Sequence, residues 1–571
     1  MTEIDAGRAV ANVLKAEGVR CVFGIPGGHI LGIYDALYDM PEIRTFLVRH
    51  EQSAACLAAG YAQLTGETAV CLATAGPGVT NLLTGVAEAF VGSLPIVIIG
   101  GRGSTATAMR GASQEVATDR IFAPVTKWTI RVDRADLLVD TLHQAFAVAR
   151  NGKPGPVLVD IPRDLLMGKV AEAQYVPVGP AVRPRAEAAR IEAVAEALLT
   201  ADRPIIVAGG GAVMSNAREA LVALAECLAI PVLTSLAGRG SIGDDHLLSA
   251  GGLGAHRNPL SKRLLGSADV VLGLGTRFEE METNWRAGFV PSPEATYIQV
   301  DIDPVEIGRS IPAQLSIVGD ARLVAEDLLS AIRARGKALS DFRSHPRMQS
   351  LLEGRAEVEK EISALARSDA RPIHPVRVIR AARDIFPRDA TIAIDVGCLA
   401  QHMAGSSAVF PVFEPRSLIT PSSFYGMGFA ASAAPVAAIV RPGKPAVCFV
   451  GDGSMQMALP ILPFATEYKL PVTWCVLDDL ALGSIRDIQE HNFGNRILDT
   501  DFQFQPDFDV VARGCGCYGE RIDDPAGVEP ALKRGLDANS QGKAALLDFR
   551  VARARMQQTY DHYVFYKRGQ P

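Results

Sequence analysis

The sequence predicts an α/β fold class with three doubly wound parallel-sheet domains in succession. Short runs rich in Val, Ile and Leu alternate with stretches of helical length, which is typical of parallel sheets covered by helices on both faces. The chain has 571 residues, 48% of them apolar. That length is enough for about three to four domains with large buried cores.

Two breaks in this alternation divide the chain. A proline-rich stretch covers residues 176–185, and a charged connector runs over residues 333–371. We therefore expect domains at residues 1–170, 186–338 and 372–560. The apolar runs predicted as strands include 21–24, 69–72, 95–99, 204–208, 270–274, 297–301, 447–450 and 474–477.

Charge and composition argue against several function classes. The net charge of −6, without a basic block, argues against nucleic acid as a partner. No run approaches the roughly 18 apolar residues of a membrane span, and the acidic residues 1–5 lack the apolar core of a signal peptide. The 9 scattered cysteines are typical of free thiols in a reduced, cytoplasmic protein.

The third domain carries the most specific chemical pattern. Two apolar runs, 447–450 and 474–477, end in acidic residues, and a segment of helical length, 455–470, joins them. A right-handed crossover places both strand ends at one edge of the sheet, where ligands bind. We therefore expect Asp452 and Asp479 to face one crevice, where carboxylate oxygens suit Mg2+.

The turn that follows the first of these runs suits an anion. Gly451 and Gly453 let the backbone approach a ligand closely. Ser454 is expected to start a helix, whose free N–H groups attract negative charge. With the carboxylates, this turn predicts Mg2+ that bridges a diphosphate.

The first domain carries a second pattern. The run 45–48 leads into Glu51 and a predicted helix over residues 53–64. Glu51 therefore falls at a strand-to-helix junction, which is a ligand-facing edge. An ordinary glutamate in a first helical turn, favoured by the helix dipole, fits the same position. Nearby, Gly76 and Pro77 turn another strand into a helix.

Taken together, these residues resemble the thiamine-diphosphate enzymes, and most closely the acetolactate synthases. The likeness extends over nearly the whole chain, and the motifs occur in the family's order. They are Phe23-Gly24-Ile25-Pro26-Gly27-Gly28, Arg49-His50-Glu51-Gln52, Ala75-Gly76-Pro77-Gly78, Val125-Thr126-Lys127-Trp128, Asp301-Ile302-Asp303-Pro304, Gly426-Met427-Gly428-Phe429 and Gly451-Asp452-Gly453-Ser454.

The resemblance implies a pyrimidine-binding first domain, a central Rossmann-like domain and a diphosphate-binding third domain. In this family the cofactor lies between two subunits, which implies a homo-oligomer, a dimer or tetramer, with active sites at the subunit interface. Glu51 matches the glutamate that hydrogen-bonds the aminopyrimidine ring and relays its proton. The cofactor supplies the carbanion chemistry, and the protein supplies geometry and electrostatics.

Matching positions imply further cofactor contacts. Met427 matches the apolar wedge that holds the cofactor bent. The carbonyl of Tyr425 matches the acceptor for the pyrimidine amino group. The other expected contacts are turn and helix-start residues, namely Gly76, Pro77, Gly397, Gly451, Gly453 and Ser454.

Three polar residues of the first domain are candidates for catalysis. His29 follows a turn that faces the cleft in this family, where it would handle protons on substrate oxygens, although a lone histidine is usually structural. Gln114 matches a cleft glutamine of acetolactate synthases. Lys127 matches a lysine of the family's motif, and a solvated surface lysine is the alternative.

The metal motif departs from the family, which has paired asparagines where this chain has Asp478-Asp479. A second carboxylate suits a hard cation but adds negative charge near the diphosphate. We expect Asp452, Asp479 and the backbone carbonyl of Ala481 to hold Mg2+.

Other departures concern the substrate and a flavin. Ile488 replaces a tryptophan tied to acceptor choice, and Cys398-Leu399 replaces a Gln-His pair; both argue against ordinary branched-chain amino acid biosynthesis. Residues 275–280 resemble a flavin-contacting segment and 251–254 a nucleotide-facing loop. Because Met281 stands where the family has a second arginine, FAD stays an open alternative.

The predicted function is thiamine-diphosphate-dependent decarboxylation of a 2-oxo acid such as pyruvate, with transfer of the remaining fragment to an acceptor. A second interpretation keeps the cofactor and makes the enzyme a carbon–carbon lyase, an acyl-CoA or 2-oxo acid decarboxylase, or a flavin-linked oxidase. A third is a non-catalytic scaffold of the same fold. The Asp478-Asp479 change favours the scaffold, and the intact Glu51 opposes it.

Overall fold

The computed structural model describes residues 2–172, 174–253, 259–283, 285, 288–399 and 406–553. The chain packs as two compact units. Unit 1 comprises Met1–Val182, Pro421–Val440 and Met457–Tyr468, and unit 2 comprises the other described residues.

Unit 1 is built on a six-stranded parallel sheet with the order β3-β2-β4-β5-β7-β6, and β1 pairs antiparallel with β8. The strands are β1 (Glu3–Asp5), β2 (Cys21–Ile25), β3 (Arg44–Leu47), β4 (Ala69–Ala73), β5 (Ile96–Arg102), β6 (Trp128–Arg131), β7 (Val157–Pro162) and β8 (Lys169–Ala171). The helices of its first segment are α1 (Ala6–Ala16), α2 (Leu31–Tyr38), α3 (Glu51–Thr65), α4 (Pro77–Asn81), α5 (Leu83–Val91), α6 (Thr118–Phe122), α7 (Leu138–Arg150) and α8 (Arg163–Leu166).

Helices cover both faces of this sheet, which explains its uninterrupted apolar strands. Alternate strand residues such as Val70, Leu72, Val97 and Ile99 share a buried core with α1, α2 and α7. On α3, the packing partners are α5, α17 (Phe429–Ala433) and α18 (Val436–Val440).

The central sheet of unit 2 is six-stranded and parallel, with the order β11-β10-β9-β12-β13-β14. Its strands are β9 (Pro204–Ala208), β10 (Val232–Thr234), β11 (Ser249–Gly252), β12 (Val270–Leu274), β13 (Thr296–Asp301) and β14 (Leu315–Val318). Its helices are α9 (Ala188–Thr200), α10 (Gly210–Met214), α11 (Arg218–Leu228), α12 (Pro259–Ser267), α13 (Glu280–Thr283) and α14 (Ala321–Ala334). The chain winds outward in both directions from β9, as in dinucleotide-binding folds.

The third sheet is also six-stranded and parallel, with the order β16-β15-β17-β18-β20-β19. Its strands are β15 (Thr391–Ile394), β16 (Leu418–Ile419), β17 (Ala446–Gly451), β18 (Thr473–Asp478), β19 (Tyr518–Ile522) and β20 (Ala545–Arg550). The remaining helices are α15 (Pro346–Ala366), α16 (Pro375–Ile385), α19 (Asp452–Ala458), α20 (Ile461–Glu467), α21 (Gly483–Asn492), α22 (Phe508–Gly514) and α23 (Val528–Ser540).

These sheets confirm the predicted fold class of three doubly wound parallel-sheet domains, and the domain boundaries stay predictions.

Two local expectations were wrong. The segment 455–470 is not one helix, because Pro460 lacks an N–H and separates α19 from α20. The first of these helices begins at Asp452 rather than Ser454, so an acidic side chain occupies the N-terminal turn that the helix dipole favours. In the described residues, no helix has the length and apolar character to cross a membrane.

Candidate active site

In unit 1, the winding of the sheet reverses at β2, which lies between β3 and β4. Ligands of such sheets bind at the carboxyl ends of the strands beside this point. His29 follows β2, Glu51 follows β3 as the first residue of α3, and Thr74 follows β4. Topology alone therefore gathers a histidine, a carboxylate and a hydroxyl at one edge.

Glu51 is buried, with 8% of its surface exposed. Its Oε2 accepts a hydrogen bond from Asn81 Nδ2 at 2.9 Å. A Cβ at position 78 would lie 3.5 Å from Oε1 of Glu51 and 2.8 Å from Cγ2 of Thr74, so Gly78 keeps this space open. Among the residues that the structure describes, none donates to Oε1, which leaves one carboxylate oxygen for a ligand.

His29 lies beside the same space through Thr74. Its Nδ1 is 3.2 Å from Thr74 Oγ1, and Gly101 makes room for it, since a Cβ there would lie 2.6 Å from His29 Cβ. Burial and the positive charge of Arg163 lower the pKa of His29. The imidazole is therefore neutral near pH 7 and has a nitrogen lone pair with which to accept a proton.

The turn at Gly76 brings a third predicted residue to this edge. Gly76 has a φ of +59° and precedes Pro77, the first residue of α4. A Cβ on Gly76 would lie 2.8 Å from the carbonyl oxygen of Gln114, and Gln114 itself has a φ of +64° with an exposed side chain. The loop that carries Gln114 thus lies against the start of α4.

The amino group of Lys127 is hydrogen-bonded to backbone carbonyl groups of unit 1. Its Nζ donates hydrogen bonds to the carbonyl oxygens of Val148 at 2.5 Å and Asn151 at 2.8 Å. These carbonyls are at the C-terminal end of α7, where a cation is favoured by the helix dipole. These contacts stabilise the end of α7, and the choice between a motif lysine and a surface lysine stays a prediction.

A buried glutamate holds the loop that carries Tyr425 and Met427. Glu88 is 1% exposed. One of its carboxylate oxygens accepts from the N–H of Ser422, and the other accepts from the N–H of Gly426 at 3.0 Å. Tyr425, between these two donors, has a φ of +62°. A backbone conformation of this kind persists where the surroundings enforce it, and it concentrates at ligand sites.

In unit 2, the winding of the third sheet reverses at β15, between β16 and β17. Gly397 follows β15 and has a φ of +103°, and no atom of the described residues lies within 4 Å of a Cβ built there. Gly451 ends β17 and is equally open. Asp452 comes next and is 2% exposed, and its Oδ2 is buried without a hydrogen-bond partner among the described residues. An orphaned buried oxygen is a ligand-binding feature.

Asp452 and Asp479 follow neighbouring strands, because β17 pairs with β18. Burial and the charges of Asp479 and Asp478 raise the pKa of Asp452 well above its usual range. Burial also raises the pKa of Asp479 to about 6, although Arg553 opposes the rise. Asp478 and Asp479 each have an arginine beside them, Arg550 at 3.1 Å and Arg553 at 3.4 Å. Ala481, whose carbonyl was predicted as a ligand, follows two residues later and is buried.

The remaining cofactor-side candidates lie on α19. Gly453 donates its N–H to Asp452 Oδ1 at 2.8 Å. Ser454 is buried in the first turn of the same helix. Both residues therefore lie where a helix N-terminus meets the crevice of the third sheet.

Two departures from the family motifs are neighbours in space. Cys398 donates its N–H to Ser484 Oγ at 2.9 Å, and its sulfur lies 3.7 Å from a carboxylate oxygen of Asp487. Cys398 and Ile488 form one small apolar cluster, against which Phe493 packs. The replaced glutamine and the replaced tryptophan thus belong to one altered patch.

The central sheet has its own crevice between β9 and β12. A Cβ on Gly209 would lie 2.1 Å from the carbonyl oxygen of Gly275, so both positions require glycine for this close approach. Arg277, in the flavin-like segment, pairs with Glu279 at 2.7 Å. Gly254 and the side chain of Met281, on which the flavin expectation partly depends, lie outside the described residues.

Comparison with known proteins agrees with this geometry. Models of thiamine pyrophosphate enzymes match the chain at the N-terminal TPP binding domain (residues 4–121), the central domain (191–328) and the C-terminal TPP binding domain (395–549). A probable acetolactate synthase large subunit from Methanocaldococcus jannaschii is 34% identical over 548 residues, which are 94% of this chain and 90% of that relative. The acetolactate synthase isozyme 3 large subunit from Escherichia coli is 32% identical over 560 residues, 96% of this chain and 95% of that relative.

The chain belongs to the acetolactate synthase family of thiamine-diphosphate enzymes. It is therefore an enzyme that depends on thiamine diphosphate, with acetolactate-synthase-like function. The expectation that it departs from the ordinary biosynthetic enzyme finds no support in these relatives, which are named acetolactate synthases.

The residues present fit the family's cofactor. The free Oε1 of Glu51 suits a ring nitrogen, and the open backbone at Gly397 and Gly451 leaves room for a ligand. The orphaned oxygen of Asp452 suits a divalent cation.

Several residues of these crevices were missed from the sequence. Thr74 and Asn81 have no distinctive spacing, because each acts through a single contact with a predicted residue. Glu88 did carry a signal, since a lone carboxylate inside an apolar helix indicates a buried partner. Arg553 lies beyond the last predicted strand, and nothing local connects it to Asp479.

Proposed function

We propose that this enzyme decarboxylates a 2-oxo acid such as pyruvate and joins the remaining fragment to an acceptor carbonyl. The observation that carries the proposal is the buried Glu51, with one oxygen bonded to Asn81 and the other open at the winding reversal of the first sheet. A carboxyl group in this setting is suited to exchange a proton with a ring nitrogen.

The side chains of unit 1 have distinct roles in this proposal. Glu51 holds and moves the proton at the pyrimidine nitrogen, and the carbonyl of Tyr425 accepts a hydrogen bond from the pyrimidine amino group. Met427 would hold the cofactor as an apolar wedge. His29, kept neutral by burial and Arg163, takes up protons from substrate oxygens, and Gln114 orients the substrate. When bound, the cofactor supplies the nucleophilic carbon and the electron sink.

The metal site in this proposal lies in unit 2. Asp452, Asp479 and the carbonyl of Ala481 would hold Mg2+, a cation that prefers oxygen ligands. Gly451, Gly453 and Ser454 would hold the diphosphate at the start of α19, where backbone N–H groups have no acceptor within the helix.

The decisive test replaces Glu51 by Gln. Turnover of pyruvate, followed as CO2 release with thiamine diphosphate and Mg2+, should fall roughly 100-fold or more, because general acid–base catalysis contributes that much. The unfolding temperature should stay unchanged. Glu67→Gln, which alters a carboxylate after the other end of α3, is the matched control and should keep full activity. A wild-type protein that binds no cofactor, or an active Glu51→Gln variant, would refute the proposal.

We further propose a homo-oligomer, a dimer or tetramer, with active sites at the subunit interface. Support comes from large apolar side chains exposed next to candidate site residues: Met109 on the Gln114 loop at 96% and Phe424 beside Tyr425 at 43%. Light scattering should give a multiple of the chain mass of 60.7 kDa, and a monomer at micromolar concentration would refute this assembly.

The identity of the acceptor substrate and the presence of FAD can each be tested by a simple experiment. Ile488 matches a tryptophan that is tied to acceptor choice in the family. A panel of oxo acid and aldehyde acceptors therefore distinguishes ligation from a carbon–carbon lyase or a simple decarboxylase. FAD is a second candidate cofactor for the central crevice, and a yellow purified protein would establish it. The free cysteines support a reduced compartment such as the cytoplasm.

A further inference from the structure

The extra carboxylate of the metal motif has a counter-charge within its own chain. Arg553 Nε lies 3.4 Å from Asp479 Oδ2, and the Asp479 side chain is 4% exposed. The neighbouring Asp478 pairs with Arg550 at 3.1 Å. A buried charge of this kind is costly unless it is paired.

The pairing is built into the sheet. Strands β18 and β20 are parallel neighbours, and their register places Arg550 opposite Asp478. The N–H of Val551 then donates to the carbonyl of Asp478 at 2.9 Å. This fixes the path of the chain after β20, so Arg553 arrives beside Asp479.

The charges at the site explain what this arrangement does. If Asp452 and Asp479 both hold Mg2+ next to a diphosphate, as in the proposed function, the site is one charge more negative than with asparagine at 479. The positive guanidinium of Arg553 cancels this extra negative charge, so the total charge equals that of a site with asparagine at position 479. The Asp479–Arg553 pair therefore has the same net charge as the neutral side-chain amide of asparagine.

We propose that Arg553 is a charge-compensating residue of the cofactor site, which allows Asp479 to serve as a metal ligand without repelling the diphosphate. The inference rests on the proposed function. It extends that site to the segment after the last strand, which the family motifs do not include.

A purely structural role for Arg553 has a weak basis. Within the described part of the chain, its other ion-pair partner is Asp501, at 3.6 Å. Asp501 also pairs with Arg486 at 2.8 Å and keeps that partner when Arg553 is removed. Removal of Arg553 therefore leaves one uncompensated group, Asp479.

The test is a double-mutant cycle of Arg553→Gln, Asp479→Asn and the double variant. In Arg553→Gln, the dissociation constant for thiamine diphosphate at saturating Mg2+ should rise roughly tenfold, because one unscreened negative charge faces the diphosphate. The affinity for Mn2+ alone, measured by electron paramagnetic resonance, should increase, since that cation meets one positive charge fewer. The double variant should return to within about threefold of wild type for the cofactor.

Charge compensation predicts weaker binding of thiamine diphosphate and tighter binding of Mn2+ in Arg553→Gln. A structural effect would weaken the binding of both ligands. Arg486→Gln, which removes the other guanidinium on Asp501, is the matched control and should change neither affinity. Unchanged cofactor binding in Arg553→Gln, or a loss that Asp479→Asn fails to rescue, would overturn the inference. If the wild-type protein bound no thiamine diphosphate, the proposed function would be refuted instead. The Mn2+ affinities of wild type and Arg553→Gln would still show whether the charge of Arg553 acts on a cation at Asp479.

Discussion

Glu88 illustrates how one buried side chain fixes a candidate cofactor contact. Its carboxylate is the acceptor for two backbone N–H groups, of Ser422 and Gly426, on either side of Tyr425. A Cβ at position 426 would lie 3.2 Å from Oε2 of Glu88, so the glycine permits this close contact. The left-handed backbone at Tyr425 is thereby held in place before any ligand binds.

We predict that Glu88→Gln weakens cofactor binding. The amide keeps one acceptor and places an NH2 group against the second backbone N–H, at a cost of about 1–3 kcal/mol. The dissociation constant for thiamine diphosphate, measured by fluorescence titration, should rise roughly tenfold. Glu17→Gln is the control, because Glu17 is a buried carboxylate elsewhere in unit 1 that accepts from Val178 N–H; it should lower stability and leave cofactor affinity intact. Equal affinities in both variants would contradict the prediction.

Arg163→Gln should raise the pKa of His29. Loss of a nearby positive charge favours the protonated imidazole, while burial, the larger cause of the lowered pKa, remains. The titration of the His29 ring can be followed by NMR with labelled histidine and assigned with a His29→Gln variant. Arg134→Gln, which removes an exposed guanidinium paired with Asp136, should leave the midpoint in place. A midpoint that stays or falls in Arg163→Gln would be evidence against this coupling.

At the residue level, the sequence predicted positions better than contacts. Glu51 and Asp452 were placed correctly because strand ends and short turns are local features. The partner of Glu88 lies more than 300 positions away along the chain, and no local pattern encodes such a distance.

At the level of elements, strand prediction succeeded because parallel strands buried on both faces form uninterrupted apolar runs. Helix prediction was weaker in the connector 333–371, which was expected only as a charged link. It contains α15, whose buried residues Met348, Leu351, Val358 and Ile362 recur at helical spacing on one face. The charged residues on the opposite face of α15 made this apolar spacing hard to recognise in the sequence.

The close approach of β9 and β12 yields a prediction about one turn. Gly209→Ala would place a methyl group 2.1 Å from a backbone oxygen of Gly275, and neither backbone can move far in a packed sheet. We expect a loss of about 2–4 kcal/mol in the free energy of unfolding, measured by urea denaturation. Gly179→Ala, at a position with no neighbouring atom within 4 Å, is the control. A loss below about 0.5 kcal/mol in Gly209→Ala would show that this turn is looser than described.

At the scale of the whole molecule, the two-unit packing was not predictable from local patterns. Segments 421–440 and 457–468, which the sequence assigns to the third domain, pack in unit 1. A Cβ on Gly60 would lie 3.1 Å from Ala433 and Val436, and the N–H of Leu47 donates to Tyr468 Oη at 2.8 Å. Such fits depend on the shapes of small side chains that only the folded chain brings together.

The thiols provide a whole-molecule probe of stability. All nine cysteines are free, and every one except Cys515 is buried. Burial raises the pKa of Cys21 to about 12, and thiolates rather than thiols are the reactive form. Ellman's reagent at pH 8 should therefore label at most Cys515 rapidly, with the others following only on unfolding. Cys515→Ser should abolish the fast phase, and rapid labelling of several thiols in native protein would contradict the described packing.

The sheets formed by β2–β7 and by β15–β20 share one winding order, and the central sheet has another. Because the two orders agree strand for strand, both sheets reverse their winding at the first strand and have a crevice at the same place. The residues at the strand ends beside that place differ, with Glu51 in one sheet and Asp452 in the other. The residues at the strand ends, and not the order of the strands, therefore determine which chemistry each crevice can perform.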